Sequence, residues 1–203
     1  MPIYLEKGYK NNKIREIITS VSSFEWLQTY EPAYIQKGNK ESTEVYKDRI
    51  TQLKSKQDYF ISGYIEPTER GTIKRNNEQL IRRDLIIIDY DDIKTSSNDF
   101  ITHVIDKLSD TAILIYPTIR HTEEKPRFRI VIEPSRPLVK YEYVVMLREI
   151  ASKIGLEYDH CSETWSQCQG LPVKTDLNSK WSLQVIQGKK YEVTRNIEPP
   201  IQK

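Results

Sequence analysis

The chain has 203 residues, 37% of them hydrophobic and 30% charged, and carries a formal net charge of +2. That length suits one generous domain, or a domain with an added lobe; no apolar run reaches the ~18–20 residues of a membrane helix, and no basic-then-apolar leader opens the chain. The reading is therefore a cytoplasmic protein without a membrane partner, its net charge too small to establish a nucleic-acid partner, and its two cysteines, Cys161 and Cys168, are expected as reduced thiols.

Residues 1–57 read as a mainly helical accessory region packed on a core. Ile14, Ile17, Ile18 and Val21 follow helical spacing, and Ser22 or Ser23 can cap a second helix carrying Glu25, Phe24, Trp26 and Leu27. Residues 34–43 read as a loop and residues 44–56 as a charged helix with Val45, Ile50 and Leu53 on its apolar stripe. Nothing in this region has the spacing of a catalytic site.

The core is expected over residues 58–195. Residues 59–65 form a strand candidate, followed by a basic connection with Arg70, Lys74 and Arg75 that ends in Arg82 and Arg83. Leu85-Ile86-Ile87-Ile88 then reads as a buried strand, apolar in every position and rich in β-branched residues. It runs into Asp89-Tyr90-Asp91-Asp92. Side chains alternate along a strand, so Asp89 and Asp91 share a face while Asp92 points away. Two like charges on one face need something positive between them, and a divalent cation prefers such hard oxygen ligands.

Ser96 or Ser97 can cap an amphipathic helix reaching Leu108, and residues 111–116 form a second buried strand, so that a strand, a crossover helix and a parallel strand follow in order. Arg127-Phe128-Arg129 opens a third strand in which both arginines share a face. Between residues 120 and 140, six basic side chains (Arg120, Lys125, Arg127, Arg129, Arg136, Lys140) stand against three acidic ones. Residues 141–154 read as a helix stopped by Gly155, residues 182–193 as a final hairpin, and residues 196–203, with Pro199-Pro200, as a tail or linker.

Three clusters follow element ends, where sites form in α/β sheets: Asp89 with Asp91, His121 with Arg127 and Arg129, and Asp159. Carboxylates for Mg2+ or Mn2+, with arginines whose fork matches phosphate oxygens, make up the chemistry of nucleotidyl transfer. His160, Cys161 and Cys168 offer three zinc ligands, but structural zinc takes four and no fourth lies nearby, so zinc is not expected. The three histidines, at 103, 121 and 160, are too scattered for a rolling-circle nickase.

The ordered motifs resemble the archaeo-eukaryotic primase superfamily, in particular primase–polymerase domains of plasmids, phages and mobile elements. Ile86-Ile87-Ile88-Asp89-Tyr90-Asp91 is similar to its first motif. His121 followed by Lys125-Pro126-Arg127-Phe128-Arg129 is similar to the second, with Ile119 where a small residue is usual. Tyr158-Asp159 and Leu171-Pro172 are similar to the third and its sequel, without the Arg often found shortly before the Leu-Pro pair. The resemblance spans roughly residues 58–175.

It implies a mixed α+β fold with an RNA-recognition-motif-like catalytic sheet. It implies a nucleotidyltransferase making or extending primers on single-stranded DNA from NTPs or dNTPs, with a replicative helicase or initiator as partner. Asp89, Asp91 and Asp159 would hold metal, His121, Arg127 and Arg129 would contact the nucleotide, and Arg70, Lys74, Arg75, Arg82 and Arg83 would meet the template. The alternative is a catalytically weak or inactive module of a replication initiator that binds single strands on the same scaffold.

Overall fold

The computed structural model describes residues 1–10 and 12–193; the tail expected at 196–203, with Pro199-Pro200, lies outside the described residues. In chain order the elements are β1 (Ile3–Lys7), β2 (Glu16–Ile18), α1 (Ser23–Thr29), β3 (Ala33–Ile35), α2 (Thr43–Leu53), β4 (Asp58–Ser62), β5 (Tyr64–Ile65), β6 (Leu80–Arg82), β7 (Ile86–Tyr90), α3 (Ser97–Lys107), β8 (Ile113–Pro117), β9 (Phe128–Ile132), α4 (Lys140–Ile154), β10 (Gln169–Gly170), β11 (Val173–Thr175) and β12 (Gln184–Ile186). The mixed α+β class holds.

The central sheet has the order β12-β8-β9-β7. Strand β9 is antiparallel to both neighbours, so β7 and β8 run parallel, as the crossover requires, but with β9 inserted between them. The run β7-α3-β8-β9-α4 follows the β-α-β-β-α order of the expected RNA-recognition-motif-like sheet, but the fourth strand, β12, pairs with β8 and not with β7, so the sheet departs from that pattern at its edge. One face of this sheet (Ile86, Ile88, Tyr90, Ile115, Phe128, Ile130) packs under α3 and α4 through Phe100, Val104, Tyr143, Leu147 and Ile150. The other face (Ile87, Leu114, Val131) meets Ile3, Leu5 and Phe60 of a second sheet, β10-β4-β1-β2. Both faces of β7 are therefore covered, which is why its sequence shows no polar alternation until Asp89. Burial of each such Ile contributes roughly 1.5–3 kcal/mol.

Several expectations change. Residues 14–21 are not a helix: Glu16–Ile18 forms β2, an edge strand pairing with β1 from Ile3↔Ile18 to Leu5↔Glu16. The apparent helical stripe buries little, since Ile17 and Val21 stay exposed, and strand pairing wins over a spacing that had nothing to pack against. The expected loop at 34–43 opens with the end of β3, which pairs in parallel with β11. The described part of the first 57 residues thus carries three strands beside two helices, and β1 pairs with β4 over five residues, so one sheet spans both sides of position 57. Helix α1 starts as expected, with Ser22 Oγ accepting the Glu25 N–H and the Glu25 carboxylate accepting the Ser22 N–H, each at 3.2 Å.

The strand expected at 59–65 breaks at Gly63. There φ is +136°, and a Cβ would lie 1.9 Å from the Arg82 carbonyl oxygen, so only glycine lets the chain leave β4 and turn into β5 against β6. The final hairpin does not close on itself. Its first arm, β12, pairs with β8, and its second is tied to Asp110, Ala112, Glu133 and Ser135 through the backbones of Lys189 and Tyr191. Among the described residues, no helix is long and apolar enough to cross a membrane.

Candidate active site

The two sheets splay apart at the carboxyl end of β7, and a cleft of about 270 Å³ opens there, lined by Asp89, Asp91, Asp159, Arg120, Arg129, Lys54, Tyr59 and residues 167–171 among others. The register of β7 with β9 builds its wall. Asp89 stands opposite Arg129 and Tyr90 opposite Phe128, and one step further Asp91 meets Arg127. Period-two alternation placed these four charges on one face, and the structure pairs them across the strands.

Asp89 and Arg129 form a two-pronged pair, with Nε to Oδ1 at 2.5 Å and Nη2 to Oδ2 at 2.9 Å. The remaining Arg129 nitrogen, Nη1, donates to the Gly170 carbonyl at 2.6 Å and lies 3.4 Å from the Tyr116 hydroxyl. Burial works against the Arg129 charge, but the Asp89 carboxylate beside it outweighs that and holds its pKa well above the ordinary arginine value. Asp91 is half-buried and pairs with Arg127 at 2.8 Å, with Arg120 at 3.8 Å. Asp92 lies outside the cleft, paired with Lys94 at the surface.

Asp159 reaches the same cleft from the other side. Its backbone N–H donates to the Asp89 carbonyl at 2.8 Å, and Ser162 Oγ accepts the Asp89 N–H at 3.0 Å, so the turn after α4 is stitched onto the edge of β7. Asp159 also caps this turn, Oδ1 accepting the Cys161 N–H at 2.9 Å. Capping and cleft-lining are thus two roles of one side chain.

Glu163 braces the turn by binding Arg148 at 2.5 Å, the Tyr158 hydroxyl at 2.6 Å and His160 Nδ1 at 3.1 Å. The Arg148 guanidinium, with the Tyr158 hydroxyl, pulls the Glu163 pKa down from 4.5 to about 2. A carboxylate whose pKa is lower in the folded state contributes stability in full above its unfolded pKa, and that contribution is lost as pH falls through the folded value. The melting-temperature gap between the wild type and Glu163→Gln should be constant above about pH 5 and close between pH 4.5 and 2; a gap unchanged at pH 2 would contradict it.

The residues expected at the nucleotide divide, His121 lying behind the cleft wall and Arg129 and Arg127 at it. His121 is fully buried, its ring edge-on to Phe128 at 4.7 Å, with Nδ1 accepting the Arg127 N–H at 3.2 Å. Burial lowers its pKa, and its Nε2 finds no partner among the described residues. It braces the 118–127 loop instead of facing the cleft. Arg129 does line the cleft, but its nitrogens are engaged as above. Arg127 keeps an outward position.

The five template candidates do not share a surface. Arg70, Lys74 and Arg82 are exposed. Arg75 turns inward to Glu6 at 2.5 Å and to the Ser166 carbonyl at 2.8 Å. Arg83 is completely buried, its guanidinium 4.4 Å from the Tyr143 ring centre. Charge in the sequence marked these positions but could not say which side of the chain they face.

The structure adds residues that the sequence reading passed over. Lys54, just after α2, enters the cleft, where burial and then the nearby Arg120 lower its pKa while Asp91 pulls the other way. Gln57, Tyr59 and Tyr9 line it as well. A second groove of about 330 Å³ adjoins the first through Arg120 and is lined by Lys47, Lys125 and Arg127, with Glu124 as its acidic member. Helix α2 thus brings Lys47 and Lys54 from a region with no recognisable site spacing; the basic run after Arg120 was the available signal for the rest.

The donor chemistry suits a hard divalent cation. A carboxylate offers about four lone-pair positions; Arg129 takes two on Asp89, while Asp91 and Asp159 remain partly open to the cleft. Hydrogen-bonded carboxylates of this kind are usual around metals. Among the described residues, however, no three His, Cys, Asp or Glu side chains are drawn together into a ready metal cluster.

A mixed α+β domain with a carboxylate-lined, arginine-rimmed cleft between two sheets is the class defined so far. Residues 23–168 match the family model of the VapE N-terminal domain, and the chain belongs to that family. This is the primase-type recognition, of the mobile-element kind, that the ordered motifs carry. Among solved structures, the AEP domain of the cyanophage S-2L primase-polymerase (PrimPol) is similar at a TM-score of 0.46 and 11% identity, covering 74% of this chain and 72% of that chain. No curated protein matches the chain.

Proposed function

We propose that this domain is a DNA-dependent primase/polymerase, a cytoplasmic nucleotidyltransferase that makes or extends primers on single-stranded DNA for a mobile element. The observation that carries the reading is the convergence of Asp89, Asp91 and Asp159, from two separate chain segments, on one cleft lined also by Arg120 and Lys54, with Arg127 paired to Asp91 from the adjoining groove. Asp89, Asp91 and Asp159 would hold Mg2+ or Mn2+. Such a cation supplies neutralisation of the leaving pyrophosphate and a lowered pKa for the attacking hydroxyl.

The chain's own groups do the rest. Arg120, Arg127 and Lys54 take the charge of an NTP or dNTP triphosphate at the mouth of the cleft. Lys47 and Lys125, in the adjoining groove, suit phosphates of the template. Arg129 fixes Asp89, and His121 fixes the loop that carries Arg127; both are positioning residues in this reading. A helicase or initiator partner would deliver the single strand.

The test is template-directed incorporation of NTPs or dNTPs on single-stranded DNA with Mg2+ or Mn2+. Product that vanishes with EDTA supports the reading; none under any metal overturns it. One observation favours a second reading, the binding module: Asp89 and Asp91 are already neutralised by arginines within the protein. That module would bind single strands equally well with and without EDTA and incorporate nothing.

A further inference from the structure

Residues 7–15, which carry the chain from β1 to β2, hold four basic side chains (Lys7, Lys10, Lys13, Arg15) and no acidic one, against a net charge of +2 for the whole chain. All four are exposed. Lys7 and Arg15 share a single carboxylate, Asp58, at 3.1 and 3.5 Å, and two cations on one carboxylate leave a positive excess there. An isolated antiparallel bridge sets Lys13 opposite Lys74, which is exposed too. Directly opposed residues have Cβ atoms about 5 Å apart, close enough for two ammonium groups to hold one phosphate.

An aromatic side chain stands among these charges. Tyr9 is 41% exposed, and of the two grooves it lines only the cleft. Its backbone is fixed on both sides. The Gly8 N–H donates to the Gln57 carbonyl at 2.9 Å, and the Tyr9 carbonyl accepts from Arg75 Nη2 at 3.3 Å. Gly8 has a φ of +74°, and a Cβ there would lie 2.5 Å from the Ser55 carbonyl oxygen, so glycine is what lets the segment press against the turn after α2. The Tyr9 ring meets Tyr59 edge-on at 5.8 Å, and Lys10 Nζ lies 5.9 Å from its centre.

Clustered positive charge beside an exposed ring on a fixed backbone fits a ligand with phosphates along one side and an open aromatic face on the other. A single strand of nucleic acid has both, whereas the base faces of a duplex are already stacked on one another. We propose that the β1–β2 hairpin is a docking surface for single-stranded DNA, in which a base stacks on Tyr9 while Lys10, Lys13 and Lys74 take the adjoining phosphates. A strand held by Lys47 and Lys125 then crosses the cleft and leaves over Tyr9. The inference rests on reading the cleft as a site that works on a single strand, and it adds the path by which that strand departs.

The experiment is a fluorescence-anisotropy titration of the 203-residue chain in Mg2+ without nucleotide, over a range of salt concentrations. The probes are a labelled oligothymidylate longer than the ~16 nucleotides of a large single-strand site and a duplex of equal length. Tyr9→Ala should weaken single-strand binding about tenfold and leave the duplex affinity and the salt slope as they are. Tyr9→Trp should bind the single strand at least as tightly as the wild type. The triple variant Lys10→Gln/Lys13→Gln/Lys74→Gln should flatten the log–log salt dependence by about 2, from three phosphate contacts at ~0.7 each. The replaced side chains are all exposed, so each variant should melt within about 2 °C of the wild type.

Single-strand affinity unmoved by Tyr9→Ala, or a salt slope unmoved in the triple variant, overturns the surface. A loss in Tyr9→Ala that Tyr9→Trp shares overturns it too, since it marks Tyr9 as a contact for Tyr59 and not as a stacking platform. Template-directed incorporation by the wild type, measured alongside, separates the two readings. Unmoved affinities with incorporation intact overturn the surface and leave the cleft reading standing, whereas the expected shifts without incorporation under any metal uphold the surface and overturn the cleft reading.

Discussion

Asp159→Asn should fold like the wild type and lose template-directed incorporation by about a thousandfold, equivalent to roughly 4 kcal/mol of transition-state stabilisation. The fold should survive because an asparagine Oδ1 can still accept the Cys161 N–H and the backbone bond from residue 159 to the Asp89 carbonyl is untouched. What is removed is one negative charge at the cleft. Asp91→Asn should behave alike, since its pair with Arg127 is partly exposed and contributes little to stability. Incorporation within tenfold of wild type in both variants would contradict the assignment.

Arg129→Leu should destabilise the protein by about 3–5 kcal/mol, the usual cost of removing one partner from a buried ion pair, and lower the melting temperature by roughly 10 °C. The size follows from what Arg129 holds. Both Asp89 oxygens, the Gly170 carbonyl and the Tyr116 hydroxyl depend on its guanidinium, which ties β7 and β9 of the central sheet to β10 of the second. Removing it strands a carboxylate between the two sheets. Asp89→Ala should destabilise for the mirror-image reason, so lost activity in that variant would not by itself mark Asp89 as a metal ligand. A thermal melt of Arg129→Leu within 3 °C of wild type would contradict the structural role.

What the sequence made legible was local. The apolar run at 85–88, the caps at Ser22 and Ser96, the stop at Gly155 and the shared face of Arg127 and Arg129 each rest on a few adjacent residues, and each reappears in the structure. The misses are of three physical kinds. Residues 14–21 carried a helical spacing with no surface to bury it, and β1 supplied strand bonds instead. Arg75 and Arg83 carried charge without direction, and both turned inward. Lys54, Gln57 and Gln169 reach the cleft only because β4 pairs with β1, more than 50 residues away, and with a two-residue β10, more than 100 residues away, contacts for which no short window carries a signal.

His121 and Arg129 illustrate the limit most clearly. The motif order placed them beside the carboxylates; the structure pairs Arg129 with Asp89 but buries His121 behind the cleft wall, where it braces a loop. Position in a motif fixed their neighbourhood; the partners they bind came from register and packing.

The most direct measurement is a Mn2+ titration followed by electron paramagnetic resonance on the wild type, Asp91→Asn and Asp159→Asn, each checked for a wild-type melt. Saturable binding in the wild type, weakened at least about tenfold in each variant, is the predicted result. Equal Mn2+ affinity in all three proteins, or no saturable binding in the wild type, would contradict a metal-holding cleft at the end of β7.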